Sequence, residues 1–282
     1  MTTNSTIDIP GLTIAYKAWG APDKPVLLAL HGWLDNANSF DDIAPSLTDT
    51  FYVVAIDLPG HGASSFIAKG HYYQIVDSLF MLVTLIRALK IEKAHLLGHS
   101  LGACLSSLLA GIAPQYVASV ALIEGLGPFA SPEHTSCQQL SRFIELLPNI
   151  RQSSSKTYTT FTEAVNARMQ NGELSYKLAR TLALRGVSQI EGGFQWHHDR
   201  RLLVETPLRM TEPQILSCLK AIKVPSCLIV ADKGLIADNA QFEARLNAVS
   251  HLQVNEMQGH HHVHMQHPDG VSDILRRFYA AL

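Results

Sequence analysis

"HLLGHSLGACLSSLLA", His95 to Ala110, changes character at its midpoint. The run Ala94–Leu97 is short and almost wholly apolar, as a buried strand is, whereas Leu101–Ile112 carries a helical pattern. Between them stands Gly98-x-Ser100-x-Gly102. G-x-S-x-G is common as a bare pattern, and its weight comes from this setting. A strand that turns sharply into a helix holds the serine hydroxyl out above the sheet on a strained elbow. The flanking glycines have a steric reason, because the turn brings their backbones too close for a Cβ. The plainer reading is a serine in an ordinary β–α turn. A nucleophilic serine also needs donors for an oxyanion. The Leu101 N–H at the helix start supplies one. The second is expected from "LLALHGWLDNANSF", Leu27 to Phe40, where His31-Gly32 ends a strand and turns the Trp33 N–H inward.

Outward from this elbow, apolar runs recur at Val26–Leu30, Tyr52–Ile56, Val117–Ile123 and Cys227–Val230. Such runs are parallel strands covered on both faces. Helical patterns at Tyr73–Leu89 and Gly270–Leu282 alternate with them. Ile7, Ile9, Leu12, Ile14 and Tyr16 alternate around Gly11 and predict an antiparallel hairpin at a sheet edge. The fold class is α/β, a doubly wound and mostly parallel sheet. After Pro128 the alternation stops for about 80 residues, and helix starts appear without strand-like runs. We read 1–127 and 213–282 as the core domain and 128–212 as an all-helical cap, or lid, inserted after the sixth strand.

Composition narrows the classes. Of 282 residues 47% are hydrophobic and 16% charged, enough for a sizeable core. The formal net charge of −2, with no Lys/Arg block, argues against nucleic-acid partners. Four scattered cysteines without a C-x-x-C pair fit a reducing compartment. With no signal-like N-terminus and no long apolar run, a cytoplasmic protein without a membrane partner is expected, as monomer or dimer.

"NEMQGHHHVHMQHPDG", Asn255 to Gly270, holds five histidines. Such a tract can bind zinc or nickel. A working metal site needs further ligands, and no remote Cys/His/carboxylate cluster is evident in the sequence, so neither metal nor cofactor is expected.

Taken together, His31-Gly32-Trp33, Asp57-Leu58-Pro59-Gly60-His61-Gly62, Gly98-His99-Ser100-Leu101-Gly102 and the late Gly259-x-His261 resemble the α/β-hydrolase superfamily. "HGWLDNANSFD", "DLPGHGASS", "GFQWHHDRRL" and "GHHHVHMQHP" are similar to its serine hydrolase-like branch. The resemblance covers essentially the whole chain. It implies Ser100 as nucleophile, Trp33 and Leu101 as oxyanion donors and His261 as base, with His264 the nearest rival. In most relatives the orienting acid lies in a G-x-x-D turn after the seventh strand, but here "LIVADKGLIAD" has Gly234 at that place. Some haloalkane dehalogenases carry the acid after the sixth strand, and Glu124 of "EGLGP" matches that position. Glu124 is favoured, and Asp232, Asp238 or no third member stay as alternatives. Asp57 and His61 are read as shaping a loop, without a chemical role. Phe194, Trp196, His197, His198 and Asp199 form an aromatic–polar cluster that is either lid core or substrate wall; Trp33, Phe129 and Trp196 are the substrate-binding candidates. The resemblance implies a carboxylesterase acting on a small-molecule ester. The alternatives are a thioesterase, a C–C bond hydrolase, a perhydrolase, a metal-dependent hydrolase or a non-catalytic ligand-binding relative.

Overall fold

The structure is a computed structural model that describes residues 2–152, 155–170, 174–237 and 240–282. The chain opens with β1 (Thr2–Ile9) and β2 (Leu12–Trp19), paired antiparallel around Gly11 as the alternation predicts. β3 (Val26–Leu30), β4 (Tyr52–Ile56), β5 (Ala94–His99) and β6 (Val117–Ile123) follow, with helices α1 (Ile75–Ala88) and α2 (Leu101–Ile112) flanking β5 in the chain. Between β6 and the next strand of the main sheet lie α3 (Ser136–Gln152), α4 (Phe161–Gln170), α5 (Tyr176–Gly186), the hairpin β7 (Val187–Ile190) with β8 (Gly193–Trp196), and α6 (Glu212–Lys220). The sheet is completed by β9 (Ser226–Lys233) and β10 (Leu252–His260), with α7 (Ala240–Ala248) between them and α8 (Val263–Gln266) and α9 (Pro268–Ala280) after. The strand order is β1-β2-β4-β3-β5-β6-β9-β10, and every pair from β4 to β10 is parallel.

The apolar strand runs sort by period two into two cores. Leu28, Leu30, Val54, Ile56 and Leu96 face one layer, with Leu82 and Leu85 of α1, Leu105 and Leu109 of α2 and Ile215 and Leu219 of α6. Leu27, Ala29, Val53, Ala55 and Leu97 face the other, with Phe40, Phe51 and the α9 residues Val271, Leu275 and Phe278. Burying both faces is what makes the strand sequences nearly continuous in apolar residues. Each fully buried Leu contributes about 1.5–3 kcal/mol relative to exposure, so helix–sheet packing on both faces stabilises the sheet.

Residues 128–212 are not all helical. The β7–β8 hairpin breaks that expectation, turning through Gly192 and Gly193, both at positive φ. Four-residue strands are too short to print an alternation that can be separated from a helix end. α4 and α5 enclose a core of their own from Val165, Leu174, Leu178, Leu182 and Ala183, which also takes in Met265 of α8. Among the described residues no helix is long and apolar enough to cross a membrane.

Candidate active site

The sheet order reverses beside β3, since β4 lies on one side of it and β5 on the other. In open α/β sheets the crevice at such a reversal, outside the strand C-termini, is where ligands bind. The loops that leave β3, β5, β6, β9 and β10 carry Trp33, Ser100, Glu124, Gly234 and His261 respectively.

Ser100 caps α2 with φ 52° and ψ −113°, a conformation that an L-residue holds only under constraint. The constraint is packing. A Cβ at Gly102 would run into the Leu30 backbone, and one at Gly98 would strike the backbone of Gly102 and Ala103. Ser100 N–H donates to Ile123 O at 2.9 Å, which pins the elbow to β6. His31 shapes the neighbouring turn. Its Nδ1–H donates to Gly32 O at 2.7 Å, and its Nε2 accepts from Leu58 N–H at 2.9 Å. Those bonds fix one neutral tautomer. Burial lowers the pKa of this ring, in keeping with that neutral state. The Trp33 and Leu101 N–H groups donate to no protein group among the described hydrogen bonds.

Glu124 is the second strained residue at the strand ends, with φ 55°. Its carboxylate is buried and accepts from Ala231 N–H at 2.7 Å, Leu235 N–H at 2.9 Å and His261 Nδ1 at 3.2 Å. A Cβ at Gly234 would land on this carboxylate. A side chain at the usual acid position and a glutamate at 124 therefore exclude each other. Asp232 is exposed and accepts from Gly259 N–H at 2.8 Å, and its carboxylate is not bonded to His261. Asp238 lies outside the described residues.

His261 is held at two points. Glu124 grips its ring, and the His99 Nε2–H donates to its main-chain oxygen at 2.9 Å. Burial lowers the His261 pKa; the Glu124 hydrogen bond pulls it back up in part, and the neighbouring His99 lowers it further. No hydrogen bond joins Ser100 Oγ to His261 among the described residues; such contacts often close only when substrate binds. His264, the rival, is fully buried under Phe40 and bonded through Nε2 to Ser39 Oγ at 2.6 Å. Burial holds its pKa well below the usual imidazole range.

The structure also brings together residues the sequence did not single out. Asp35, His99 and His262 are buried, and their ligand-type atoms lie within 4.8 Å of one another. Asp35 Oδ2 accepts from His262 Nε2 at 3.0 Å, while Oδ1 accepts from Arg168 of α4 at 2.8 Å. The expectation that no remote Cys/His/carboxylate cluster joins the histidine tract is thus corrected, since Asp35 and His99 gather on His262. The guanidinium already supplies this carboxylate with a cation. Nothing in "HGWLDNANSFD" marks Asp35 as buried beside a histidine 227 residues later, because only tertiary folding pairs them.

Asp57 and His61 are structural in their surroundings. Asp57 accepts from Ala37 N–H, Ala63 N–H and the Arg185 guanidinium of α5, all within 2.9 Å. The His61 pKa is lowered to about 3 by burial, and its Nδ1–H donates to Pro59 O at 3.1 Å. Trp33 is 51% exposed and Phe129 66%. Trp196 packs on the core of α4 and α5 and donates from its indole to Ala164 O at 3.0 Å, so its surroundings are lid packing.

The comparisons with known proteins agree with this architecture. The family described as "alpha/beta hydrolase fold" matches residues 25–268. A serine hydrolase-like protein of Danio rerio is 26% identical over 96% of this chain and 86% of its own length. Serine hydrolase-like protein 2 of Homo sapiens is 28% identical over 96% of this chain and 91% of its own. A hypothetical protein from Pseudomonas aeruginosa PAO1 superposes with a TM-score of 0.93 at 34% identity, covering 99% of this chain and 98% of that one. A thioesterase domain from the curacin biosynthetic pathway shares the fold, with a TM-score of 0.85 at 24% identity over 98% and 99% of the two chains. With residues 25–268 matched, this chain belongs to the α/β-hydrolase family.

Proposed function

We propose that the protein is a serine hydrolase that cleaves a carboxylic ester through an acyl-enzyme on Ser100. The observation that carries this reading is the Glu124–His261 pair, set on loops beside a serine held at positive φ. With Nδ1–H given to the Glu124 carboxylate, the neutral imidazole keeps its lone pair on Nε2, the nitrogen a general base uses. His261 takes the Ser100 proton as Oγ attacks the ester carbonyl, and the Trp33 and Leu101 N–H groups receive the oxyanion. Collapse expels the alkoxide, to which the imidazolium returns its proton. Water, deprotonated by the same imidazole, then attacks the acyl-enzyme and frees the carboxylic acid and Ser100. The exposed Trp33 and Phe129 rings are apolar walls suited to the acyl or alcohol group. Residues 128–212 act as a lid that sets substrate access. Labelling with a fluorophosphonate and mapping of the labelled peptide tests the reading. Modification of Ser100 in the wild type and its loss in Ser100→Ala is the expected result. Labelling that persists in the variant, or an unreactive wild type, removes Ser100 from the role.

A further inference from the structure

Asp35 lies outside the chemistry above, yet it is among the most constrained charges in the protein. It is 2% exposed. Charged or titratable groups face it from four elements: Arg168 of α4, His262 at the start of α8, His99 at the end of β5 and His31 after β3. Against the cost of burial, His262 first and then His99 and Arg168 hold its carboxyl well below the usual range, so it stays ionised. Its two oxygens serve different parts of the fold. Oδ1 accepts from α4 in the inserted segment at 2.8 Å, and Oδ2 accepts from His262, the residue after His261, at 3.0 Å. A second, apolar tie runs in parallel, since Met265 of α8 is packed into the α4–α5 core. His99 closes the arrangement. Its Nε2–H must donate because its partner is the His261 carbonyl, and its Nδ1, 3.6 Å from Asp35 Oδ2, has no hydrogen-bond partner.

We propose that Asp35 is a positioning residue: its carboxylate bridges Arg168 of the lid to His262, so that seating the lid aligns His261 for catalysis. This builds on the reading of His261 as the base. Because the bridge is ionic on one side and hydrogen-bonded on the other, losing either end removes the same polar tie and leaves the Met265 packing to hold the segment. A base displaced by about 1 Å costs on the order of 10² in rate.

The test uses the full chain, with turnover counted per fluorophosphonate-titrated site. Asp35→Asn and Arg168→Gln should each lower kcat on the order of 10²-fold with KM changed less than about threefold. The double variant should lose no more than either single one, since both break one bridge. Arg168→Lys, which keeps the charge, should recover most of the rate. Nitrogen NMR of histidine-labelled protein should show the His261 ring leaving its Glu124-bonded tautomer in Asp35→Asn. Additive losses, a loss of folded protein with normal kcat per site, or an unmoved His261 ring overturns the proposal. So does stoichiometric bound metal whose removal reproduces the Asp35→Asn loss. If the wild type hydrolyses no ester, the NMR arm alone decides the coupling, and the two readings fail separately.

Discussion

His261 and His262 are neighbours in sequence, and each is bonded to a carboxylate, yet the two pairs are built for opposite ends. His261 meets Glu124 at 3.2 Å through Nδ1, its side chain 21% exposed. His262 meets Asp35 at 3.0 Å through Nε2, nearly out of solvent, with Arg168 on the far oxygen. A general base needs one nitrogen bonded to a carboxylate and the other left for the reacting proton. On the proposed mechanism, the first pair meets that need. In the second, the nitrogen that the first keeps available is spent on the carboxylate, and the charge is balanced by arginine. The same residue types therefore make a proton acceptor or a strut, according to which ring nitrogen is bonded and whether a cation stands behind.

The widest gap between the pairs should appear on truncation. His261→Ala is expected to cost as much kcat as Ser100→Ala, on the order of 10⁶, whereas His262→Ala should cost on the order of 10². Equal losses in steady-state assays would erase the distinction. Next, Glu124→Gln keeps shape and removes charge, and should lower kcat on the order of 10⁴. A loss below about tenfold would leave His261 without its acid. A smaller effect sharpens the contrast through pH. Burial lowers the His261 pKa below the ordinary value near 6.5, and under the proposed mechanism the neutral ring is the active form. kcat/KM should therefore stay flat as pH falls through 6.5 and drop only below it. A midpoint above 6.5 would contradict the burial of the ring. Smallest of all, Asp232→Asn should cost less than about tenfold and His267→Ala nothing measurable, since neither side chain is bonded to His261.

Most of the core was legible because strands buried on two faces write continuous apolar runs: Val26–Leu30, Tyr52–Ile56 and Val117–Ile123 carry the same bounds in sequence and structure. The elbow was legible because Gly98 and Gly102 mark places where backbones touch. The β7–β8 hairpin was not, as each strand has only four residues and none of them is buried. Asp35 was not legible either. A buried aspartate in a loop reads like any loop aspartate until α4 and the histidine tract are folded against it. Gly234 was visible as a missing side chain, but the carboxylate filling that space comes from residue 124, and only the fold puts the two together.

The shared space between Gly234 and Glu124 has a consequence for how such an enzyme can change. A carboxylate introduced at 234 collides with the one already present, and removing Glu124 first leaves the imidazole without a partner. Under the proposed mechanism each single substitution should lower kcat, while the paired exchange, Glu124→Gly with Gly234→Asp, should return one acid to the same volume. On that expectation the two placements of the acid are separated by a valley of sign epistasis, which an assay of the two single variants and the pair would expose.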